Sequence, residues 1–288
     1  MSSIYTENWT KLLGTSYYDL GKALTTGSDG SIYIAGYTNG DLDGQTNNQL
    51  LFGGSGDAFI SKYNPDGTKN WTKLLGTSDS EEPFALTTGE DGSIYIAGQT
   101  NGDLDGQTDP NGTDAFLSKF NSDGDKQWTK LLGSSYDPYS LIRSSTGDQA
   151  NALTTGLDGS IYIAGQTTGD YLDEQISSGK YEVFISKYNP DGTKDWTRLL
   201  GSSRDDKANA LTTGLDGSIY IAGETNGDLD GQTNSGNNDV FISKYNPDGT
   251  KDWTRLLGSS YSLDPYRDDK ANALTTGLDG SIYIAGYT

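Results

Sequence analysis

The amino-acid sequence predicts an all-β fold, a five-bladed β-propeller with four-stranded antiparallel blades. Trp-Thr-Lys/Arg-Leu-Leu-Gly occurs five times, and so does Ser-Ile-Tyr-Ile-Ala-Gly. Ala-Leu-Thr-Thr-Gly precedes every copy of the second motif. A fourth element, Phe-Ile/Leu-Ser-Lys-Tyr/Phe, recurs four times. The repeating unit therefore holds four short segments in 57 to 68 residues, which is the size of a propeller blade.

Each segment is predicted to be a strand, and we name them A (Ala-Leu-Thr-Thr), B (Ser-Ile-Tyr-Ile-Ala), C (Phe-Ile-Ser-Lys-Tyr) and D (Trp-Thr-Lys-Leu-Leu). Strand B is apolar at successive positions, as expected for a strand that is buried on both faces. Gly-Ser-Asp-Gly at 27–30 and Asn-Pro-Asp-Gly at 64–67 are hairpin signals that join A to B and C to D. Strand A, with its small side chains, is expected at the crowded axis, and strand D at the outside.

The whole chain, residues 1–288, is predicted to form one propeller domain. The predicted blades span about 22–76, 84–133, 150–201 and 208–258, and the fifth combines about 271–288 with 2–14. The chain begins with a D segment at 9–13 and ends with A and B segments, so N-terminal strands would close the ring by completing the C-terminal blade. Residues 2–5 are expected to add a short C strand. Such a ring would be monomeric; the alternative is part of a longer open array.

The composition excludes several classes of function. With 20 basic and 40 acidic residues, the net charge of −20 disfavours nucleic acid and anionic membranes as partners. The chain has no Cys and no His, which removes thiolate nucleophiles, imidazole bases and the usual zinc ligands. Strand A carries no carboxylate pair for glycoside hydrolysis, so the protein is not expected to be an enzyme. No apolar run is long enough to cross a bilayer, and no signal peptide is visible at the N-terminus.

The repeats resemble the bacterial SBBP family of β-propeller repeats, frequent in large cyanobacterial surface or secreted proteins. The resemblance rests on Asp-Gly-Ser-Ile-Tyr-Ile-Ala-Gly-Tyr-Thr at 29–38 and Gly-Asp-Ala-Phe-Ile-Ser-Lys-Tyr-Asn-Pro-Asp-Gly at 56–67. It covers essentially the whole chain. It implies a propeller and a non-catalytic role, often outside the cell.

The loops between strands B and C carry Asn-Gly-Asp-Leu-Asp-Gly-Gln-Thr in the first, second and fourth blades. Oxygen-bearing side chains at alternate positions followed by Gly are typical of the start of a calcium loop. The bidentate Glu that ends such a loop is missing, and the third-blade loop breaks the spacing. The alternative interpretation is that Asn-Gly and Asp-Gly form turns with the Leu pointing inward. The candidate calcium ligands are Asn39, Asp41, Asp43, Asn47, Asn101, Asp103, Asp105, Asp109, Asn226, Asp228, Asp230 and Asn234.

The loops between strands D and A vary most in length and sequence. They carry Tyr beside Asp and Arg, a combination that suits the recognition of proteins or sugars. The alternative is that these aromatic rings pack on the rim between blades. The Trp residues at the start of strand D are interpreted as inter-blade packing rather than as sugar platforms. The candidate ligand-binding residues are Tyr17, Tyr18, Tyr136, Asp137, Tyr139, Arg143, Tyr261, Asp264, Tyr266 and Arg267.

Together these features predict a non-catalytic binding or scaffold module. It would engage a protein or a glycan through the face formed by the B–C and D–A loops, with structural calcium as one option. The first alternative is a multivalent lectin with a sugar site in each blade. The second is a recently duplicated or engineered repeat protein without a selected ligand, since residues 207–223 are identical to 270–286.

Overall fold

The computed structural model describes residues 9–48, 56–107, 112–135, 146–259 and 268–288. Within these ranges the chain forms four successive four-stranded antiparallel arrays and a two-stranded hairpin, so the all-β prediction is confirmed. The first blade consists of β1 (Asp19–Thr26), β2 (Ile32–Thr38), β3 (Asp57–Tyr63) and β4 (Lys69–Leu75). The second consists of β5 (Glu81–Thr88), β6 (Ile94–Thr100), β7 (Gly112–Phe120) and β8 (Lys126–Leu132), with a 3-10 turn at Leu104–Gly106.

The third and fourth blades repeat this plan. The short strand β9 (Thr146–Gly147) pairs with β7 in parallel, and β12 (Tyr171–Leu172) pairs with β13 (Gln175–Ile176) inside a loop. The main strands of the third blade are β10 (Gln149–Thr155), β11 (Ile161–Thr167), β14 (Glu182–Tyr188) and β15 (Lys194–Leu200). Those of the fourth are β16 (Asp206–Thr213), β17 (Ile219–Thr225), β18 (Asp239–Tyr245) and β19 (Lys251–Leu257). The final hairpin is β20 (Lys270–Thr276) and β21 (Ile282–Tyr287).

The sheet order confirms that strand A is innermost in each blade. Each full blade has the order A-B-C-D, and the A strands of successive blades pack against one another. The last Thr of strand A donates its hydroxyl to the carbonyl of the equivalent Thr in the preceding blade. Examples are Thr88 to Thr26 at 3.1 Å and Thr213 to Thr155 at 3.1 Å. The small side chains that the repeat places on strand A therefore allow the A strands to come close together.

The core lies between the blades, as expected for sheets packed face to face. Each cluster of buried apolar side chains draws its members from two neighbouring blades. Ile185 of the third blade and Ile221 of the fourth, for example, belong to one cluster and are both fully buried. Strand B is buried on both faces because each face meets an adjacent blade.

The Trp residues of strand D join each blade to the next. The indole of Trp71 donates to the Ser122 carbonyl at 3.2 Å, and that of Trp196 donates to the Pro247 carbonyl at 3.2 Å. Within its own blade, Trp71 lies 6.1 Å from the Tyr33 ring, centroid to centroid. The indoles are therefore packing groups between blades, as the sequence predicts.

The two ends of the array are open. Leu24 on β1 is 66% exposed, whereas the equivalent Leu86 on β5 is 9% exposed. Tyr283 on β21 is 57% exposed, whereas Tyr33 on β2 is 2% exposed. Residues 9–13 belong to none of the described sheets, and residues 2–5 lie outside the described ranges. β20 and β21 form a two-stranded hairpin where the fifth blade is predicted, so the fifth blade and the closed ring stay predictions.

Candidate functional site

The B–C and D–A loops meet at one end of each blade. In the first, second and fourth blades, the residue after strand B donates its backbone N–H to the carbonyl of the residue that precedes strand A of the same blade. This bond joins Asn39 to the Tyr18 carbonyl at 2.9 Å, and Asn226 to the Asp205 carbonyl at 2.9 Å. The two loops that the sequence analysis selected therefore form one continuous surface, which we call the loop face.

The Leu-Asp-Gly-Gln part of each B–C motif forms a tight turn. In the first blade, Leu42 and Gln45 exchange two backbone hydrogen bonds of 2.9 and 3.1 Å. Asp43 has φ 53° and Gly44 has φ 76°, the left-handed pair that a type I′ turn requires. Leu42 is 1% exposed and fills the space beneath the turn. The fourth blade repeats this geometry. The inward Leu is what the alternative interpretation of the motif, a plain turn, predicts.

The Asp at motif position 5 ties the loop to strand D. Asp43 accepts from Lys69 and, at 2.5 Å, from the Thr72 hydroxyl. Burial alone would raise the pKa of Asp43, but the hydrogen bonds from Lys69 and Thr72 outweigh it and lower the pKa. The same clamp joins Asp105 to Lys126, Asp173 to Lys194 and Asp230 to Lys251. The third blade keeps its clamp although its motif spacing is broken.

Most of the other candidate calcium ligands are held by hydrogen bonds to protein groups. The Asn101 amide oxygen accepts from the Thr113 hydroxyl, and that of Asn226 accepts from Arg204. Asp41 accepts from the Asn47 backbone N–H at 2.9 Å, and the Asn47 amide donates to the Thr38 carbonyl at 2.8 Å. Asp228 and Asn234 repeat these bonds in the fourth blade. In the ranges that the structure describes, there is no group of three or more Asp or Glu that could hold a metal ion. Asp109 lies outside those ranges, and calcium binding stays a prediction.

The Gly of each Asn-Gly pair permits a close approach between the two loops. A Cβ atom at Gly40 would lie 2.6 Å from Thr15 Oγ1, and one at Gly227 would lie 2.4 Å from Ser202 Oγ. The side chain two residues after that hydroxyl lies over the same glycine, and it differs among the three blades that carry the Asn-Gly pair. It is Tyr17 in the first, Asp79 in the second and Arg204 in the fourth. The Asn-Gly pair and the hydroxyl that packs on its Gly, which we call the frame, are thus constant, whereas the side chain above them varies.

In the fourth blade this frame encloses a polar pocket of about 320 Å³, lined by Arg204, Asn226, Asp228 and Asn234 among others. The Arg204 guanidinium donates to the Asn226 amide oxygen at 3.2 Å. Guanidinium, amide and carboxylate groups in one concavity can donate to and accept from the same ligand. The pocket therefore suits a polar peptide segment or a polyhydroxylated ligand.

The predicted aromatic ligand-binding residues that the structure describes are exposed. Tyr17 is 70% exposed and Tyr18 is 56% exposed, and the Tyr18 ring lies 5.5 Å from the Tyr37 ring. Both rings lie on the loop face, available to a partner. The remaining candidates fall outside the described residues: Tyr136, Asp137, Tyr139, Arg143, Tyr261, Asp264, Tyr266 and Arg267.

Beneath the loop face, acidic residues of adjacent blades meet at each described blade junction. These acids were not predicted as site residues. Strand A begins before the Ala-Leu-Thr-Thr segment, so the expectation that it carries no carboxylate is wrong for β1, β5 and β16, which each begin with an acidic residue. One stands at the start of strand C, and the other at or beside the start of strand A in the next blade. A backbone bond joins them: Glu81 N–H donates at 2.9 Å to the carbonyl of Gly56, the residue before Asp57. All are 0–3% exposed: Asp57 with Glu81, Asp114 with Asp148, Glu182 with Asp206, and Asp239 with Asp269.

A positional signal for these acids is present in the sequence. An acidic residue occurs four positions before every Ala-Leu-Thr-Thr and two positions before every Phe-Ile/Leu-Ser-Lys. The spacing is informative only once the fold shows that the two positions meet across a junction.

Two family models match the chain, and both describe β-propellers. The SBBP β-propeller repeat matches residues 8–43 and 195–230. A β-propeller domain of unknown function matches residues 157–197 and 215–254. Together the matched stretches contain all four segments of the repeat.

Two curated proteins align with the chain. One is named regulatory protein FlaEY, from Caulobacter vibrioides, 26% identical over 91% of this chain and 29% of its own length. The other is an uncharacterized WD repeat-containing protein of Acanthamoeba polyphaga mimivirus, 24% identical over 75% of this chain and 20% of its own length. The chain thus spans less than a third of either relative.

Two of the solved structures that align with the chain have names that suggest an activity. An α-L-arabinanase from Penicillium chrysogenum has a TM-score of 0.49 at 13% identity, with 94% of this chain and 72% of that one covered. A putative gluconolactonase has a TM-score of 0.44 at 13% identity, with 93% and 71% covered. At these values neither similarity bears on activity.

Proposed function

Because the chain is an SBBP-type β-propeller repeat protein, we propose that it is a non-catalytic binding or scaffold module that engages a protein through its loop face. The observation that carries the proposal is the Asn-Gly pair of the first, second and fourth blades, which lies beneath a different exposed side chain in each: Tyr17, Asp79 or Arg204. A repeated backbone arrangement that carries a different side chain in each copy suits a surface that binds one asymmetric partner. The regulatory name of one relative agrees with a role in protein interaction.

A capture experiment tests this role. Immobilised wild-type protein is compared with Tyr17→Ala/Arg204→Ala on the loop face and with Glu90→Ala/Asp123→Ala on turns at the opposite end of the blades. We expect that some proteins from the source cells bind the wild type and the turn variant but do not bind the loop-face variant. Equal capture by all three would contradict the proposal. Hydrolysis of chromogenic glycosides by wild-type protein would contradict the non-catalytic assignment.

The polar pocket of the fourth blade supports a glycan as the second candidate ligand. Its Arg204, Asn226 and Asp228 side chains offer both donors and acceptors to hydroxyl groups. A glycan array separates the two functions. A repeated monosaccharide signal that Arg204→Ala abolishes would favour the lectin, whereas an array without signal would favour a protein partner.

Calcium bound at the B–C loops would stabilise the loop face. A ligand at about 100 times its Kd adds roughly 2.7 kcal/mol per site to the free energy of unfolding, and each kcal/mol raises Tm by about 2–4 °C at this size. A metal-stripped sample should therefore melt several degrees higher in millimolar calcium. Asp41→Asn/Asp228→Asn should reduce the rise. No rise in wild type would leave these loops as turns.

We also propose that the fold is a closed five-bladed ring and that the protein is a monomer. The Trp9 indole donates to the Pro65 carbonyl at 3.2 Å, which is the inter-blade contact of a D-strand Trp. Its expected partner within a blade is the strand-B Tyr, and exposed Tyr283 is the one without a Trp neighbour among the described residues. Bringing residues 9–13 to β21 would complete both contacts at once.

A further inference from the structure

Two of the four buried acid pairs can be followed through all their contacts. Asp57 accepts from the Asn48 backbone N–H at 3.1 Å and from the Asn48 side-chain amide at 3.4 Å through one carboxyl oxygen, and its other oxygen has no hydrogen-bond partner among the described residues. Glu81 accepts from the Thr77 N–H and hydroxyl and from the Thr100 hydroxyl, at 2.7 to 2.8 Å. Both residues are 0% exposed. One carboxyl is thus saturated with donors, and the other has a buried oxygen without a donor.

The second pair, Glu182 and Asp206, lies at the junction between the third and fourth blades. Glu182 accepts from the Ser178 N–H at 2.7 Å and from the Ser178 hydroxyl at 3.1 Å. Asp206 accepts from the Ser202 N–H at 2.6 Å, from the Ser202 hydroxyl at 2.9 Å and from the Thr225 hydroxyl. The two residues are 3% and 0% exposed. Neutral hydroxyl and amide groups surround these carboxyls, as at the first junction.

No basic group offsets the charge of either pair. Among the described residues, no Lys or Arg forms an ion pair with any of the four carboxyls. The charged group that acts on Glu81 is Asp57, and the one that acts on Asp206 is Glu182. Beside Glu81 in the chain, Asp79 is exposed on the turn, and Glu82 is paired with Lys22 at 2.7 Å. Two adjacent buried carboxylates without a cation cannot both stay ionised at low cost.

We propose that each of these two pairs binds one proton in the folded protein, and that losing it as the pH rises loosens the junction between the blades. The proton would sit on Asp57 in the first pair, at the oxygen without a donor, and on Asp206 in the second. The pairs underlie the B–C and D–A loops, so the loop face would be ordered in acid and more mobile in alkali. The blade junctions would then act as a pH-sensitive device built into the repeat.

The direction of the pH effect follows from linkage. Burial raises the pKa of Asp57 from 3.8 to about 6. Burial and then the nearby Asp57 charge raise the pKa of Glu81, and burial and the Glu182 charge raise that of Asp206. A carboxyl whose pKa is higher in the folded state binds its proton more tightly there. The stability it contributes is fully present below pH 3.8 and is lost as the pH rises through about 6.

Thermal melts at pH 5 and pH 8, in the presence of a chelator, test the proposal. We expect the Tm of wild type to be lower at pH 8 than at pH 5. Asp57→Asn, which mimics the protonated acid, should reduce this difference in Tm between pH 5 and pH 8 by about 5 °C. Asp206→Asn tests the other junction independently. Glu90→Gln, on an exposed turn of the second blade, is the matched control and should leave the fall unchanged.

A second measurement does not depend on the stability of the variants. Infrared difference spectra of wild type between pH 5 and pH 8 should show the band of a buried protonated carboxyl, and this band should be weaker in Asp57→Asn. The proposal is overturned if both Asn variants show the full wild-type fall in Tm, or if the band is absent. It is also overturned if calcium restores the Tm at pH 8 as fully as acid does, because a cation would then occupy the pair.

Discussion

Single residues of the repeat are explained by what they touch. The Gly that ends Trp-Thr-Lys-Leu-Leu-Gly lies against the strand-C acid, because a Cβ atom at Gly76 would lie 2.2 Å from the Asp57 carboxyl carbon. A Cβ at Gly258 would meet Asp239 at the same distance. The constant Gly is therefore required by the buried acid pair, and both features belong to one junction.

Replacing Gly76 with Ala should destabilise the protein by about 1–3 kcal/mol, because the buried Asp57 carboxyl has little room to move. Urea denaturation measures the loss. Gly21→Ala is the matched control, because a Cβ there would meet no atom within 4 Å. Its free energy of unfolding should stay within about 0.5 kcal/mol of wild type. Similar losses in the two variants would show that the Asp57 contact is not the cause.

At the scale of elements, the hairpins and strands could be predicted because their signals are local. Asp-Gly and Asn-Pro-Asp-Gly specify turns, and apolar alternation specifies strands. The inward Leu42 follows from the same local rules. The acid pairs could not be predicted in this way, because Asp57 and Glu81 are joined only by the packing of two blades. Asp and Glu are almost never fully buried unless a basic group pairs with them, so residue type alone would not place these acids, which have no basic neighbour, inside the fold.

The Trp at the start of strand D supplies a prediction at this scale. The Trp71 indole donates to the Ser122 carbonyl of the next blade at 3.2 Å and lies 6.1 Å from the Tyr33 ring of its own blade. Trp71→Phe keeps an aromatic ring but removes the donor, so it should lower the free energy of unfolding by at least about 1 kcal/mol in urea denaturation. An unchanged free energy of unfolding would show that the inter-blade hydrogen bond adds no net stability.

For the whole molecule, the repeats predict the sheet order, but closure depends on contacts between the two ends of the chain. Four blade junctions use the Thr ladder of strand A, from Thr88 bonding to Thr26 through to Thr276 bonding to Thr213. The Thr26 hydroxyl and the Thr276 carbonyl are the two unmatched groups of this ladder among the described residues. They are chemically complementary, so a fifth junction would repeat the other four.

The absence of native Cys makes this junction directly testable. Thr26→Cys/Thr276→Cys should form an intrachain disulfide under mild oxidation at low protein concentration, because a closed ring brings the two positions together as Thr26 and Thr88 are now. Thr26→Cys/Thr88→Cys is the positive control, and Thr26→Cys/Thr213→Cys, separated by more than one junction, is the negative one. Non-reducing electrophoresis distinguishes the products. Interchain dimers instead of the intrachain bond would show that the ends pair between copies, and the monomeric five-bladed ring would be wrong.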